Sequence, residues 1–432
     1  MTDLSYVRTE MLPEQEPPSG ETGLIKWMRA NLFSSITNSI LTLLALFFVY
    51  RALSGLLPWM FQSSWNATSL GQCRDAITAT YGEGVTGACW AVIRERYQQL
   101  LFGFYPKELY WRPILAFVLM LVAVAPVLFA GVPRKMLMFS ALFPFIGFWL
   151  LWGGSIWVPV SALLGFVVAY GAMAFLPSLI GGLGATIAAM LLPVLYWLLA
   201  AGPLTDALNN IMPIASKSVA SSSMGGFALS ITIGVTGIAL SLPIGILLAL
   251  GRQSPLLIVK SICVGFIEFI RGVPLITLLF VASVLLSIFL PPGSNFDIIL
   301  RVMIMVTLFA SAYMAEVVRG GLAAIPKGQY EAADALGLDY WQSTRLIIMP
   351  QALKISIPNI VSNFIGLFKD TTLVSIIGLL DPLGLSTSIR ANQEWNGIVW
   401  ELYGFIALMF WIVCFSMSRY SMYLERKLKT GH

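Results

Sequence analysis

Histidine is nearly absent: the single one in 432 residues is His432, the last. This removes histidine-based acid–base catalysis and histidine-ligated metals from consideration. Charge is also scarce, with 11% of residues being Asp, Glu, Lys or Arg, where a soluble domain carries roughly a quarter. From Met136 to Thr205, 70 consecutive residues, there is none. Four cysteines are too few and too scattered for a metal centre or a disulfide scaffold, so no metal site is expected. Cys263 and Cys414 fall in apolar runs as small packing residues. Cys73 and Cys89 share one hydrophilic loop and are a candidate disulfide if that loop lies outside the cytoplasm. No GxxxxGK[ST] phosphate loop occurs, so the chain has no ATP-hydrolysing site of its own. Without a histidine or carboxylate cluster at the ends of apolar runs, a membrane-embedded enzyme is disfavoured.

In place of charge there is apolar surface. With 58% hydrophobic residues and repeated runs of the ~20 needed for a crossing, the chain reads as an all-α integral membrane protein of about ten transmembrane helices. The net charge of +5 reflects basic cytoplasmic loops beside an anionic leaflet rather than nucleic-acid binding. Residues 1–31 read as a disordered cytoplasmic tail, rich in Pro and acids and lacking the basic start of a signal peptide. Lys26 and Arg29 then precede the run Leu32 to Tyr50, which places the N-terminus in the cytoplasm.

The remaining boundaries follow from the same alternation. An extension of transmembrane character covers 32–201, with a periplasmic loop at about 58–108, and its charge-free stretch makes three passes. A Ser-rich periplasmic link spans 202–224, a second transmembrane block spans 225–425, and 426–432 is a cytoplasmic tail. Five crossings in each block put both termini in the cytoplasm.

One long segment of the second block breaks its apolar pattern. Residues 319–352 are polar and must lie in water. Pro326 can open a first helix through Ala335, Gly337 falls at a left-handed C-terminal cap, Asp339 with Gln342 makes a capping box, and Pro350 ends the second helix. Tyr330, Leu336, Tyr340 and Trp341 offer large anchors beside a face of small residues, a helix shaped to be gripped.

Glu331, Ala332 and Ala333, then Gly337, Ile347, Met349 and Pro350 at their spacing resemble the cytoplasmic loop signature of ABC importer permeases, with Met349 in place of the usual Leu. Residues from Gly225 onward, with the block EFIRGVPLITLLF from Glu268 to Phe280, resemble the polar amino acid branch of that family, and the long front half resembles the M-type subunit of general L-amino acid systems. The resemblance implies a type I importer core in the last five helices and a coupling helix within 326–350. It implies ATP and Mg held on partner ATPase subunits with no cofactor bound directly, a periplasmic amino acid binding protein, and a bacterial inner-membrane location. Val273 and Leu278 stand where Thr and Gln are usual, which implies a drier wall here and a heterodimer with a second permease subunit.

Charges bordered by apolar runs need partners or water, since an unpaired one costs at least ~2.5 kcal/mol at mid-bilayer. Glu268 with Arg271, and Glu316 with Arg319, have the spacing of intrahelical ion pairs. Lys369, Asp370 and Thr372, with Asn363 and Thr277, are substrate-pathway candidates; the same groups can instead simply break and orient a helix. An ion-driven secondary amino acid transporter is the alternative, but it would need midplane ionisable groups and internal repeats, which the front half does not offer.

Overall fold

The computed structural model describes residues 23–285, 288 and 297–428. Among these, nine helices are long and apolar enough to cross a membrane, or ten if one sharply bent pair counts as a single span.

The chain divides into two compact units, the first ending at Ala91. In the first, α1 (Gly23–Asn31) is helical, so the expected disordered tail does not extend through residue 31; positions 1–22 lie outside the described residues. Helix α2 (Ile36–Phe61) is capped by Ser35, whose hydroxyl accepts from the Asn38 amide, and it runs past Arg51 well beyond the expected end at Tyr50. None of its residues is buried, as befits a helix whose solvent is lipid. The hydrophilic insert is ordered: α3 (Leu70–Tyr81) starts on a Ser69 cap, and Cys73 and Cys89 are joined by a disulfide.

The second unit holds α4 (Ala91–Phe102) from Val92 onward, then α5 (Trp111–Leu128), α6 (Leu137–Trp152), α7 (Trp157–Phe175), α8 (Pro177–Leu195) and α9 (Ala201–Ile211). The charge-free stretch accordingly makes three span-length passes. Because α9 continues to Ile211, the link expected from 202 begins only after it. Next come α10 (Gly226–Gln253), α11 (Leu257–Gly272) and α12 (Leu275–Phe280). Of the crossing expected from Pro274 to Leu290, the described part is helical from Leu275 through Leu285 and bent by 102° from α11 at Val273 and Pro274; Leu290 lies outside the described residues. Pro274 cannot donate to a preceding carbonyl, and the residue before it is pushed out of helical geometry. Helix α13 (Ile298–Ala323) leads to the polar segment and α14 (Lys327–Ala335). Then follow α15 (Tyr340–Ser343), α16 (Met349–Asp370), α17 (Pro382–Arg390) and α18 (Trp400–Leu428), the last continuing into the expected basic tail.

One apolar core spans both sequence halves of this unit. Tyr105, Ala116, Leu150 and Leu151 pack with Leu229, Ile233, Ile299 and Val302. Backbone approach adds to it: Gly103, at φ 69°, bridges to Met224, and a Cβ at 103 would lie 2.5 Å from the Gly225 Cα. A two-stranded ribbon pairs β1 (Gly154–Ser155) with β2 (Ala215–Ser216). Trp152 Nε1 donates to Ser221 Oγ at 2.7 Å, and Ser221 in turn donates to Asp297, the cap of α13.

Candidate functional site

The polar segment folds by local rules. The Pro326 ring sits at the N-cap of α14, where its missing N–H costs nothing. At the other end the amides of Gly337 and Leu338 donate to Asp334 and Ala333 carbonyls at 2.9 and 3.2 Å, a Schellman closure made possible by φ 71° at Gly337. Asp339 accepts from the Gln342 amide at 2.8 Å while Gln342 accepts from the Asp339 amide at 3.3 Å. Pro350 does not end this run. A π turn at Thr344–Ile348 widens the helix, and Pro350 lies in the first turn of α16, where an N–H is dispensable.

One side of the segment is anchored and the other is bare. Ala333 is fully buried, and Leu322, Ile325, Ile348 and Ala352 form a cluster with Ala249 of α10 and Ile267 of α11. Glu331 and Ala332 are exposed, as are Tyr330, Leu336 (73%), Tyr340 and Trp341 (66%). No atom lies within 4 Å of where a Gly337 Cβ would project. Together Leu336, Tyr340 and Trp341 form an exposed apolar patch on the side away from that cluster.

Beside the segment, α13 and α16 enclose a cleft of two cavities. The first, about 280 Å³, is lined by Phe309, Tyr313, Met314, Ser362, Asn363 and Asp370 among others. The second, about 500 Å³, is lined by Arg271, Tyr313, Glu316, Arg319, Ser356, Asn359 and Asn363 among others. Tyr313 and Asn363 belong to both. The Asn363 amide nitrogen donates to the Asn359 carbonyl at 2.9 Å, leaving its carbonyl oxygen as a free acceptor type on the wall.

Of the other pathway candidates, Lys369 and Thr277 are exposed and Thr372 is half-buried; none lines either cavity. The Thr372 hydroxyl donates to the Lys369 carbonyl at 2.9 Å, which serves helix termination. Leu278 does not form a dry wall of the cleft: it is buried against Ile270 and Ala312.

The ion pairs also differ from their spacing. Glu316 pairs with Arg319 at 2.9 Å, but Glu268 pairs with Arg252 at 2.8 Å and not with Arg271. Arg271 reaches across to Glu316 at 3.7 Å and lies 5.7 Å over the Tyr313 ring, because packing of α11 on α13 puts those acceptors nearer than its own helix does. Arg252, the lone charge of α10, and Tyr313 were missed as site residues. For Arg252 the signal was its solitude at the end of a 28-residue apolar helix.

Residues 241–430 match the family model of the binding-protein-dependent transport system inner membrane component. Over 438 aligned positions, covering 100% of both chains, the sequence is 58% identical to the glutamate/glutamine/aspartate/asparagine transport system permease protein BztC of Rhodobacter capsulatus. The chain belongs to the amino-acid ABC transporter permease family. A second relative of similar length, the inner membrane amino-acid ABC transporter permease protein YhdY of Escherichia coli, is 39% identical over 94% of this chain and 93% of its own. A probable glutamine ABC transporter permease of Bacillus subtilis, GlnP, is 32% identical over 46% of this chain and 90% of its own. Within this permease the polar segment and both cavity walls fall inside the span that the family model matches, while α4 to α9 lie before it.

Proposed function

We propose that the chain is a permease subunit of an ATP-driven importer that moves L-amino acids across the bacterial inner membrane, engaging ATPase subunits through residues 326–350. The observation that carries this reading is the polar segment itself. It is rigidly closed by the Gly337 cap, anchored on the bundle through Ile325 and Ile348, and bare on the side of Leu336, Tyr340 and Trp341. ATP and Mg belong to the partner ATPases. A periplasmic binding protein delivers the amino acid, and a second, different permease completes the pathway as a heterodimer, with both termini of this chain in the cytoplasm. The α13–α16 cleft is this chain's share of that pathway, with Asn363 and Asp370 on its wall. Nucleotide-driven closure acts as a ligand bias on a two-state permease pair.

The test is purification in gentle detergent with associated subunits, then ATP hydrolysis and uptake in liposomes. Glutamate, glutamine, aspartate and asparagine, the substrates in the name of the full-length relative, are the first panel. Recovery of an ATPase and a second permease, with turnover stimulated by amino acid and binding protein, is the expected result. Transport by the chain alone under an ion gradient would overturn it.

A further inference from the structure

Five charged side chains from three helices meet at the end of the bundle from which the polar segment departs: Arg252 of α10, Glu268 and Arg271 of α11, and Glu316 and Arg319 of α13. Glu316 is at their centre. Arg252 Nη1 donates to its Oε1 at 2.9 Å, Arg319 Nε donates to its Oε2 at 3.0 Å, and Arg271 Nη1 stands 3.7 Å from Oε2. The same Arg252 nitrogen donates to Glu268 at 2.8 Å, so one guanidinium spans α11 and α13. With its side chain 16% exposed, Glu316 is a carboxylate that would be costly without partners, and it faces three cations.

The position of Glu316 gives this hub a mechanical meaning. Seven residues, about 10 Å of helix, separate it from Ala323, where α13 gives way to the polar segment. Below it the same helices touch through Ala249, Ile267, Ala315 and Val318. Those contacts are apolar, and Leu242, Ile246, Leu250 and Phe266 pack against them. Apolar packing is non-directional, and between helices surrounded by lipid tails it lacks a hydrophobic driving force. Charge-assisted hydrogen bonds have preferred lengths and angles, and here they add a directional tie between α13, α10 and α11 to that packing. The second cavity opens against Arg271, Glu316 and Arg319, so the hub borders space into which the helices can move.

We propose that Glu316 is a positioning residue for coupling: by binding Arg252, Arg271 and Arg319 at once, it makes the loop-side ends of α10, α11 and α13 move as one body with the polar segment. This rests on the importer reading above. A displacement of the segment by an ATPase then reaches α10 and α11 through this tie, whereas without the carboxylate only the apolar packing passes it on and less of it arrives.

The experiment compares amino acid imported per ATP hydrolysed, in liposomes holding the complete transporter, for the wild type and the variants Glu316→Gln, Glu316→Asp and Arg252→Gln. Glu316→Gln keeps the shape and removes the charge; imported amino acid per ATP falls about tenfold while hydrolysis persists. Glu316→Asp keeps the charge and recovers most of the loss. A merely structural role would lower yield or thermal stability without changing this ratio in the assembled complex. If Glu316→Gln fails to assemble, Arg252→Gln carries the test, because it unties α10 while leaving Glu316 two arginines; its ratio falls too. An unchanged ratio in whichever of these assembles overturns the proposal, as does an Asp variant uncoupled as fully as the Gln variant. A wild-type chain that recovers no ATPase would instead remove the importer reading.

Discussion

Asn363 and Asp370 stand two turns apart on α16 and line one wall of the same cavity, facing Phe309, Tyr313 and Met314 of α13. The wall is mixed: an amide and a carboxylate among aromatic and sulfur side chains. Replacing Asn363 with Leu removes a hydrogen-bonding group without changing the helix. Uptake falls roughly tenfold, the scale of one lost buried polar contact, while basal ATP hydrolysis is unaffected. Radiolabelled uptake beside a phosphate-release assay measures both, and unimpaired uptake would take this cavity off the pathway.

Gly337 serves two purposes that substitutions can separate. Any L-residue with a bulky side chain at φ 71° is strained by roughly 1–2 kcal/mol, and its side chain would project into open space, on the face proposed above to meet the ATPase. Asparagine tolerates that backbone region. Gly337→Val inserts and assembles weakly or uncouples ATP hydrolysis from uptake, whereas Gly337→Asn retains more of the backbone turn and fails chiefly in docking. Equal, full coupling in both variants is the result that would remove this segment as the contact.

The disulfide between Cys73 and Cys89 closes a loop of 16-residue separation. Loop closure of that size is worth about 3 kcal/mol on chain-entropy grounds. Converting both cysteines to serine is expected to make the 62–91 segment markedly more sensitive to added protease, with uptake by the complete transporter retained. Mass spectrometry of the untreated protein, before and after reduction, checks the bond itself.

Asp381 caps α17, accepting from the Leu383 and Gly384 amides, and is fully buried. Burial pushes its pKa from 3.8 up to about 6, against the pull of those backbone bonds. The fold therefore favours the protonated form. Its contribution to stability is complete below pH about 4 and is lost as pH rises towards about 6, at no more than about 1.4 kcal/mol per pH unit. Thermal melting across this window should show that fall relative to Asp381→Asn, which keeps the cap and cannot ionise. Identical pH profiles for the two proteins would refute it.

The legible parts of the molecule were those written in local chemistry. Asp339 and Gln342 announced a helix start, Gly337 a helix end, and the run without charge from Met136 its three passes. Two helices run on past a charge that borders an apolar run: α2 passes Arg51 and α18 passes Arg426, because a long basic side chain can reach the interface while its backbone stays helical. The Glu268 partner is hidden from the sequence for a different reason. Spacing of three along one helix detects only neighbours on that helix, and the nearer guanidinium, Arg252, arrives from 16 residues earlier through a helix turn. The cleft likewise exists only once α13 and α16 are laid together, so Tyr313 carried no mark in the sequence.

Gly103 and Gly225, from the two halves of the sequence, bring their backbones too close for a side chain on Gly103 to fit between them. The Ser-rich link is therefore a boundary in composition but not in folding. A protein begun at residue 225 would uncover Leu229, Ile299 and Val302, which Tyr105 and Leu150 now shield. For this chain the stretch from Val92 supplies part of the same apolar core as the helices that the family model matches.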